Sequence, residues 1–226
     1  MSLEKIVALV PMRHDSVRVP GKNYRPIAGK PLYHHILETL LACPEITQVV
    51  VDTDSPVILE GLAKDFPTVT ALVRPEHLRA DTIPTNEILM HDTALAPADL
   101  YLQTHSTNPL LRSGTISAAI RALKDGFPAY DSLFGVTRLQ TRLWDELGRA
   151  INHNPAVLLR TQDLPPIYEE NSCIYLFTRE TLVQKRNRLG DRPLMFEIPA
   201  EEAWDIDEEI DFTVADVLLR ARKETQ

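Results

Sequence analysis

Residues 6–23 read IVALVPMRHDSVRVPGKN. The first five residues are apolar and mostly β-branched, which predicts a short strand buried on both faces of a sheet. A polar segment follows at once, and it carries the three cations Arg13, Arg18 and Lys22. Ligands of open parallel sheets bind beyond the carboxyl ends of the strands, so these cations are well placed to bind a triphosphate. The alternative is a solvated basic loop. The glycine patterns of dinucleotide-binding and P-loop proteins are missing, which disfavours both classes.

The next hundred residues alternate between strand and helix patterns. Strands are predicted at 48–51, 69–73, 100–103 and 132–136, and helices at 31–41, 57–66, 85–95 and 113–124. Ser55, Thr85 and Ser113 stand where the caps of three of these helices are expected. The repeated strand–helix order predicts an α/β fold, a Rossmann-like, mainly parallel sheet with helices on both faces.

The alternation of strand and helix patterns is interrupted at about residues 137–170. This stretch has several prolines and charges but little clean periodicity, so we expect a small inserted lobe or lid within a single domain of residues 1–226. Strand character returns at 173–177, a helix is predicted at 180–188, and Phe196 and Ile198 mark a last strand. A final helix is predicted from about Ile210.

Composition excludes some classes of protein. The 226 residues are 44% hydrophobic and 25% charged, as in ordinary globular proteins, and the formal net charge is -8. A nucleic-acid-binding protein is usually basic, so that class is disfavoured, whereas a small anionic ligand is not. Cys43 and Cys173 have no partners at metal-ligand spacing, and we expect both to be buried, free thiols in a reducing compartment. The N-terminal apolar run is too short to span a membrane and no cleavage signal follows it, so we expect no membrane association and a cytoplasmic protein.

The second predicted strand ends in Asp52-Thr-Asp54. A DxD pair at this edge of the sheet could hold a metal ion, as in glycosyltransferases, or cap the following helix. We favour capping, because acidic side chains are common at that position.

Two further polar loops follow predicted strands. Arg74 and the segment 79–82 have charged and hydroxyl groups suited to reading a base or a ribose, or they form an ordinary surface loop. Residues 103–112, QTHSTNPLLR, are mostly uncharged hydrogen-bonding groups. They suit a polyhydroxylated ligand, although a turn rich in Ser, Thr and Asn is the simpler interpretation.

The segment 204–211 reads WDIDEEID. On an extended chain Asp205 and Asp207 point the same way and can share one hard cation, for which Mg²⁺ with a nucleotide is the natural candidate. The remaining acids of the segment suit the start of the last helix, and an acidic segment without a metal is the alternative.

Taken together, these pieces resemble the acylneuraminate cytidylyltransferase family, the CMP-sialic acid synthetases. The resemblance rests on residues 6–23, 27–32, 49–54, 74–82, 103–112, 171–175 and 205–207, in that order. It implies CTP as co-substrate, Mg²⁺ as cofactor, an acidic sugar as acceptor, and a homodimer formed through the small lobe. It implies a nucleotide site at Arg13, Ser16, Arg18, Lys22, Asn23, Arg74, Asp81 and Thr82. It further implies sugar contacts from Gln103, His105 and Asn171, a metal on Asp205 and Asp207, and catalytic roles for Arg13, Lys22 and Asp207.

Some residues depart from the family pattern. Val17 stands where the family often has Lys, and His14 and Asp15 stand where small or amide residues are common. Glu169 stands where many sialic-acid enzymes have an Arg that would pair with the sugar carboxylate, so another cation such as Arg160, or the metal, would have to hold it. The expected activity is transfer of CMP from CTP to the anomeric hydroxyl of a sialic-acid-like 2-keto sugar acid, with release of pyrophosphate. A non-catalytic CTP-binding member of the family and a DxD glycosyltransferase are the alternatives.

Overall fold

The apolar run of residues 6–10 lies in an inner strand of the sheet. A computed structural model describes residues 3–224, with side chains through residue 222; residues 1 and 2, part of the N-terminal segment considered for targeting, and residues 225 and 226 lie outside it. In chain order the elements are β1 Ile6–Met12, β2 Pro26–Ile27, β3 Lys30–Pro31, α1 Leu32–Leu41, β4 Gln48–Thr53, α2 Pro56–Asp65, β5 Thr70–Val73, α3 Thr85–Leu95, β6 Leu100–Gln103, α4 Ser113–Gly126, β7 Ser132–Leu139, β8 Ile167–Phe177, α5 Arg179–Lys185, β9 Pro193–Glu197 and α6 Glu209–Glu224.

Seven strands form one twisted sheet in the order β5-β4-β1-β6-β8-β7-β9. Strand β1 pairs in parallel with β4 and β6, and β7 pairs in parallel with β9. Strand β8 pairs antiparallel with both β6 and β7, so it alone runs against the other six. The prediction of a mainly parallel sheet is confirmed. The reversed strand was not predicted, and it arises because β7 returns through β8 as a hairpin.

Helices cover both faces of the sheet, as predicted. Helices α1, α2 and α4 bury residues such as Ile36, Ile58 and Ile120 against one face. On the other face, Leu89 of α3 and Leu182 of α5 pack against the sheet. Burial on both faces explains why the central strands are continuously apolar. Both cysteines are free and buried, as expected, and no helix within residues 3–224 is both long and apolar enough to cross a membrane.

The predicted helix caps are only partly correct. The Ser55 hydroxyl accepts a hydrogen bond from the Ile58 amide at 3.3 Å and caps α2 as expected. Thr85 and Ser113 instead lie inside the first turns of α3 and α4, whose capping positions are Pro84 and Arg112, without a side-chain cap. Local composition marked the start of both helices but placed the capping residue one position too late.

A third core cluster connects the two ends of the chain. Val19, from the loop after β1, is buried with Ile206 and with Phe212 of α6. The hairpin of β2 and β3 also reaches α6, where the Ala28 amide donates to Asp216 Oδ1 at 2.6 Å. Hydrophobic burial therefore brings the cationic loop against the acidic segment that precedes α6.

Residues 140–166 have little regular structure. Strands β7 and β8 extend into the region where the sequence predicted a lobe, so only the part between them is irregular. It contains an isolated bridge between Trp144 and Ala150 and a short 3₁₀ turn at Thr161–Asp163. Several of its apolar side chains are solvent-exposed, and Leu158 is the extreme case at 91%.

Candidate active site

A cavity of about 580 Å³ opens where β1 and its neighbours end. The loop after β1 forms one wall, the segment after β5 another, and the acidic segment before α6 a third. The predicted site residues that line it are Arg13, Ser16, Arg18, Lys22, Asn23, Arg74, Asp81, Thr82, His105, Asp205 and Asp207. The structure therefore brings together most of the residues proposed from the sequence, and the remaining two, Gln103 and Asn171, lie elsewhere.

Asn23 fixes the shape of the loop after β1. Its side-chain nitrogen donates to the Arg13 carbonyl at 2.7 Å, and its oxygen accepts from the Ser106 hydroxyl at 2.6 Å. The residue is buried, so both hydrogen bonds are shielded from water. Asn23 therefore positions the loop cations, while Ser16 bonds within the loop by accepting from the Val19 amide.

The cations of this loop meet the acids before α6. Arg18 Nη2 lies 2.6 Å from Asp207 Oδ1, across 189 positions of sequence. Lys22 Nζ donates to the Ile206 carbonyl at 2.5 Å and lies 3.9 Å from Asp207 Oδ1. Arg13 pairs with Asp81 on the opposite wall. The cationic and acidic segments thus share one cleft, with opposite charges in direct contact.

Asp205 and Asp207 have the chemistry of a magnesium site. Buried Oδ1 of Asp205 has no hydrogen-bond partner among the described residues, which leaves a carboxylate oxygen available for a cation. Burial raises the pKa of Asp205, the charge of Asp207 adds to that effect, and nearby Lys22 opposes it. A bound divalent ion would favour the ionised form of both acids. These oxygen ligands fit Mg²⁺.

Asp52 does not cap a helix, contrary to the sequence-based interpretation. It is buried and pairs with the equally buried Arg74, while the Ser55 hydroxyl caps α2. Asp54 Oδ1 instead accepts from the His14 amide at 2.8 Å, which anchors the loop after β1. The DxD motif therefore supports the cavity from behind and offers no open pair of carboxylates.

Asp92 completes this buried group. Burial, and then the neighbouring Asp52 carboxylate, raise the pKa of Asp92 to about 8. Asp52 Oδ2 is buried without a hydrogen-bond donor among the described residues, and the Asp92 carboxyl group adjoins it. Burial raises the pKa of Asp52 as well, but Arg74 opposes that rise, so we assign the proton to Asp92. A protonated Asp92 supplies the donor that this oxygen of Asp52 needs while Asp52 holds Arg74 at the cavity wall.

Gln103 and His105 follow β6. The Gln103 amide nitrogen lies 3.0 Å from His105 Nε2 and donates to it, which places the ring proton on Nδ1. Burial, together with the charges of Arg188 and Lys22, lowers the pKa of His105 to about 4. His105 is therefore neutral and lines the cavity. Gln103 is fully buried, and its oxygen accepts from Arg188, so it has no surface facing either cavity.

A second cavity of about 430 Å³ adjoins the first. The two cavities share the walls formed by Ser172, Asp205 and Asp207. Asn171 lines the second cavity, and its side chain bonds to the Thr137 hydroxyl at 3.1 Å and to the Cys173 amide at 3.2 Å. Ser172 has a φ of 56°, a left-handed conformation at the irregular register of β7 and β8. This bulge turns Asn171 and Ser172 towards the acidic segment.

Several residues at this site were not predicted from the sequence. Asp92 and Arg188 lie inside or after ordinary helical patterns, so no local signal pointed to them. Ile83, Pro84, Thr85 and Ile88 line the first cavity because α3 begins there. They could have been found by extending the 79–82 segment to the following helix.

A profile described as "Cytidylyltransferase" matches residues 7–215, nearly the whole chain. This chain belongs to the cytidylyltransferase family. Its members are nucleotidyltransferases, and the cleft described above agrees with use of CTP. The resemblance seen in the sequence is thus confirmed at the level of the family.

Named relatives of this cytidylyltransferase include two sugar-acid enzymes. The chain is 28% identical to the CMP-N,N'-diacetyllegionaminic acid synthase of Legionella pneumophila over 97% of this chain and 98% of that protein. It is also 28% identical to the N-acylneuraminate cytidylyltransferase of Oncorhynchus mykiss, over 93% of this chain, but spans only 49% of that protein.

Two solved structures have the same fold as this chain. A CMP:2-keto-3-deoxy-manno-octonic acid synthetase complexed with CTP superposes with a TM-score of 0.72 at 18% identity, covering 96% of this chain and 99% of that one. The 4-diphosphocytidyl-2C-methyl-D-erythritol synthase of Anaerococcus prevotii gives 0.68 at 14% identity, with 96% of both chains covered. These likenesses confirm the Rossmann-like nucleotidyltransferase architecture.

Proposed function

We propose that this chain transfers the cytidylyl group of CTP to the anomeric hydroxyl of a sialic-acid-like 2-keto sugar acid and releases pyrophosphate. The observation that carries this proposal is the pair of adjoining cavities with Ser172, Asp205 and Asp207 in their common wall. One cavity has the cations that a triphosphate needs, and the other has room for a second reactant. The sugar-acid names of the relatives support the choice of acceptor.

In this proposal Arg13, Arg18 and Lys22 bind the triphosphate and neutralise the charge that develops on the leaving pyrophosphate. Asp205 and Asp207 hold Mg²⁺, which when bound polarises phosphate oxygens and lowers the pKa of a coordinated hydroxyl. Arg18 leaves Asp207 for the phosphates when CTP binds, because a carboxylate and a polyphosphate compete for the same guanidinium. Neutral His105 accepts or donates a hydrogen bond without adding charge.

The glycosyltransferase alternative requires Asp52 and Asp54 to hold a metal-bound nucleotide-sugar. Asp52 is buried and engaged by Arg74, and Asp54 is engaged by the His14 amide. Both carboxylates already have structural partners, which argues against that function.

The test is pyrophosphate release from CTP with Mg²⁺ across a panel of 2-keto sugar acids. We expect turnover with at least one acid, and a fall in kcat on the order of a hundredfold in Asp207→Ala, because a catalytic metal ion contributes several kcal/mol. The matched control is Glu209→Gln, which removes an exposed ion pair with Arg25 outside both cavities. Equal turnover by Asp207→Ala and the parent contradicts the metal role. CTP binding by calorimetry without turnover of any acid identifies a non-catalytic member of the family.

We further propose that two copies pair through the lobe at residues 140–166. The exposed apolar side chains of the lobe support this pairing, since a monomer rarely leaves so many in one segment. The family resemblance supports it as well.

A further inference from the structure

The second cavity is unusually acidic for a site proposed to bind an acid. Its carboxylates are Glu169, Glu170, Asp205, Asp207 and Asp211, and no lysine or arginine is among its lining residues in the described part of the chain. A bound carboxylate would be repelled by Glu169 and Glu170, at a cost that rises as water is excluded. If the acceptor is an acid, a cation near this cavity has to offset the repulsion.

None of the side-chain cations considered so far meets this need, and Mg²⁺ on Asp205 and Asp207 would have its charge offset by those two carboxylates. Arg18 and Lys22 contact Asp207 and the Ile206 carbonyl on the side of the first cavity, and Arg13 pairs with Asp81 there. Arg160, the candidate suggested by the sequence, lies in the exposed lobe and pairs with Asp163 at 2.7 Å. Its charge is already matched by a neighbour three positions away.

Arg188 differs from these cations. Its guanidinium carbon lies over the ring of Tyr175, 3.4 Å from the centroid, and Nη1 donates to Gln103 Oε1. It forms no salt bridge with any described carboxylate, whereas Arg186, two positions earlier, pairs with Glu87. Burial lowers the pKa of Arg188, and Tyr175 and the nearby charge of Glu170 oppose that shift. Arg188 thus has an anion nearby but forms no ion pair with it, and a partly buried cation in that state is costly to maintain.

Arg188 stands directly behind the wall that the two cavities share. The Tyr175 hydroxyl, on the ring beneath its guanidinium, contacts Glu170 and lies 3.2 Å from the Ser172 hydroxyl. Gln103 connects the guanidinium to His105 in the first cavity. The charge of Arg188 acts on the first cavity, because it helps to lower the pKa of His105.

We infer that Arg188 is the specificity-determining cation that selects acceptors carrying a carboxylate. This inference rests on the proposed function, since it names what recognises the acid group of that reaction's acceptor. Tyr175 and Gln103 hold the guanidinium plane, and the carboxylate approaches from the Ser172 side of the second cavity. Arg188 thereby supplies, from a different part of the fold, the positive charge that Glu169 cannot provide.

The experiment compares the best acid substrate of the parent enzyme with its neutral carboxamide analogue, in the parent, Arg188→Met and Arg188→Lys. In Arg188→Met we expect kcat/KM for the acid to fall on the order of 10-fold, through a raised KM, because the carboxylate loses the attraction of a positive charge held behind a poorly solvated wall. The carboxamide should lose far less, and the KM for CTP should stay within about twofold of the parent. Arg188→Lys keeps the charge and should retain most of the preference for the acid.

Arg186→Gln is the matched control, because it removes a nearby arginine that already has an acidic partner. An equal loss for acid and amide in Arg188→Met, or no loss, overturns the inference. If Arg188→Met does not fold, Arg188→Gln replaces it: a loss for the acid that the amide does not share supports the inference, and an equal loss for both, or no loss, contradicts it. Failure of the parent to use any acid contradicts the proposed function instead.

Discussion

At the scale of single residues, the site depends on charges that are balanced before any ligand arrives. Three arginines form salt bridges with aspartates: Arg18 with Asp207, Arg13 with Asp81 and Arg74 with Asp52. The first two pairs are half-exposed and exchange readily with solvent and ligand, so each contributes little to stability. The third is buried and structural, because breaking it would leave an unpaired charge in the interior.

The proton on Asp92 gives a testable pH dependence. Its pKa is about 8 in the folded protein, above the ordinary value of 3.8, because of burial and then the charge of Asp52. The native state keeps a proton that the unfolded chain releases near pH 4. The stabilising contribution is therefore fully present below about pH 4 and is lost as pH rises through about 8. Within this window a single group changes the free energy of unfolding by at most about 1.4 kcal/mol per pH unit.

The comparison to make is Asp92→Asn against the parent, by urea denaturation at several pH values between 5 and 9. The amide can donate to Asp52 without titrating, so the stability of the parent relative to the variant should decline towards pH 8 and then level off. Asp125→Asn, at an exposed position on α4, is the control and should follow the parent profile. Parallel profiles for the parent and Asp92→Asn would show that Asp92 does not hold the proton.

At the scale of elements, the irregular pairing of β7 and β8 shapes the second cavity. A Cβ added at Gly135 would come 2.6 Å from Ile198 Cδ1 and 2.7 Å from Asn171 Oδ1. Gly135→Ala should therefore displace Asn171, with an overpacking cost of about 1–3 kcal/mol. We expect the KM for the sugar acid to rise about tenfold while the KM for CTP stays near that of the parent, measured by pyrophosphate release.

Gly114→Ala is the control for this substitution. Gly114 lies in α4 with no atom within 4 Å of an added Cβ, so the variant should keep both KM values. A parallel rise in both KM values for Gly135→Ala would mean that the bulge supports the whole site rather than the sugar side.

Elements whose signals are local were predictable from the sequence, and elements set by distant contacts were not. The central strands and α1–α4 follow from apolar periodicity, and β6 was predicted at the residues it occupies. The reversal of β8 and the left-handed Ser172 depend on pairing with β7, more than thirty positions away. The position of Asp52 after a strand suggested a helix cap. That prediction was wrong because its actual partner, Arg74, is recognisable only in three dimensions.

At the scale of the whole molecule, the site is formed by the two ends of the chain. The cation-rich loop follows the first strand and the paired aspartates precede the last helix, and they meet because Val19, Ile206 and Phe212 share one core cluster. The segments between them supply the remaining walls. An ordered set of motifs along nearly the whole sequence could therefore predict the cleft, since four of the motifs lie at the ends of the parallel strands β1, β4, β5 and β6, at the same edge of the sheet.

The lobe at residues 140–166 exposes apolar side chains that a homodimer would cover. Leu158 is 91% exposed, and Leu147 and Ile151 are also largely exposed in the same lobe. A homodimer would bury this surface, so a charge placed within it should weaken the dimer by several kcal/mol, because the charge loses hydration without gaining a partner. Leu158→Glu should shift the species in solution from dimer to monomer, as measured by light scattering coupled to size-exclusion chromatography. Val57→Glu, on the exposed side of α2, should leave the dimer intact. A monomeric parent, or a Leu158→Glu variant as dimeric as the parent, would contradict pairing through the lobe.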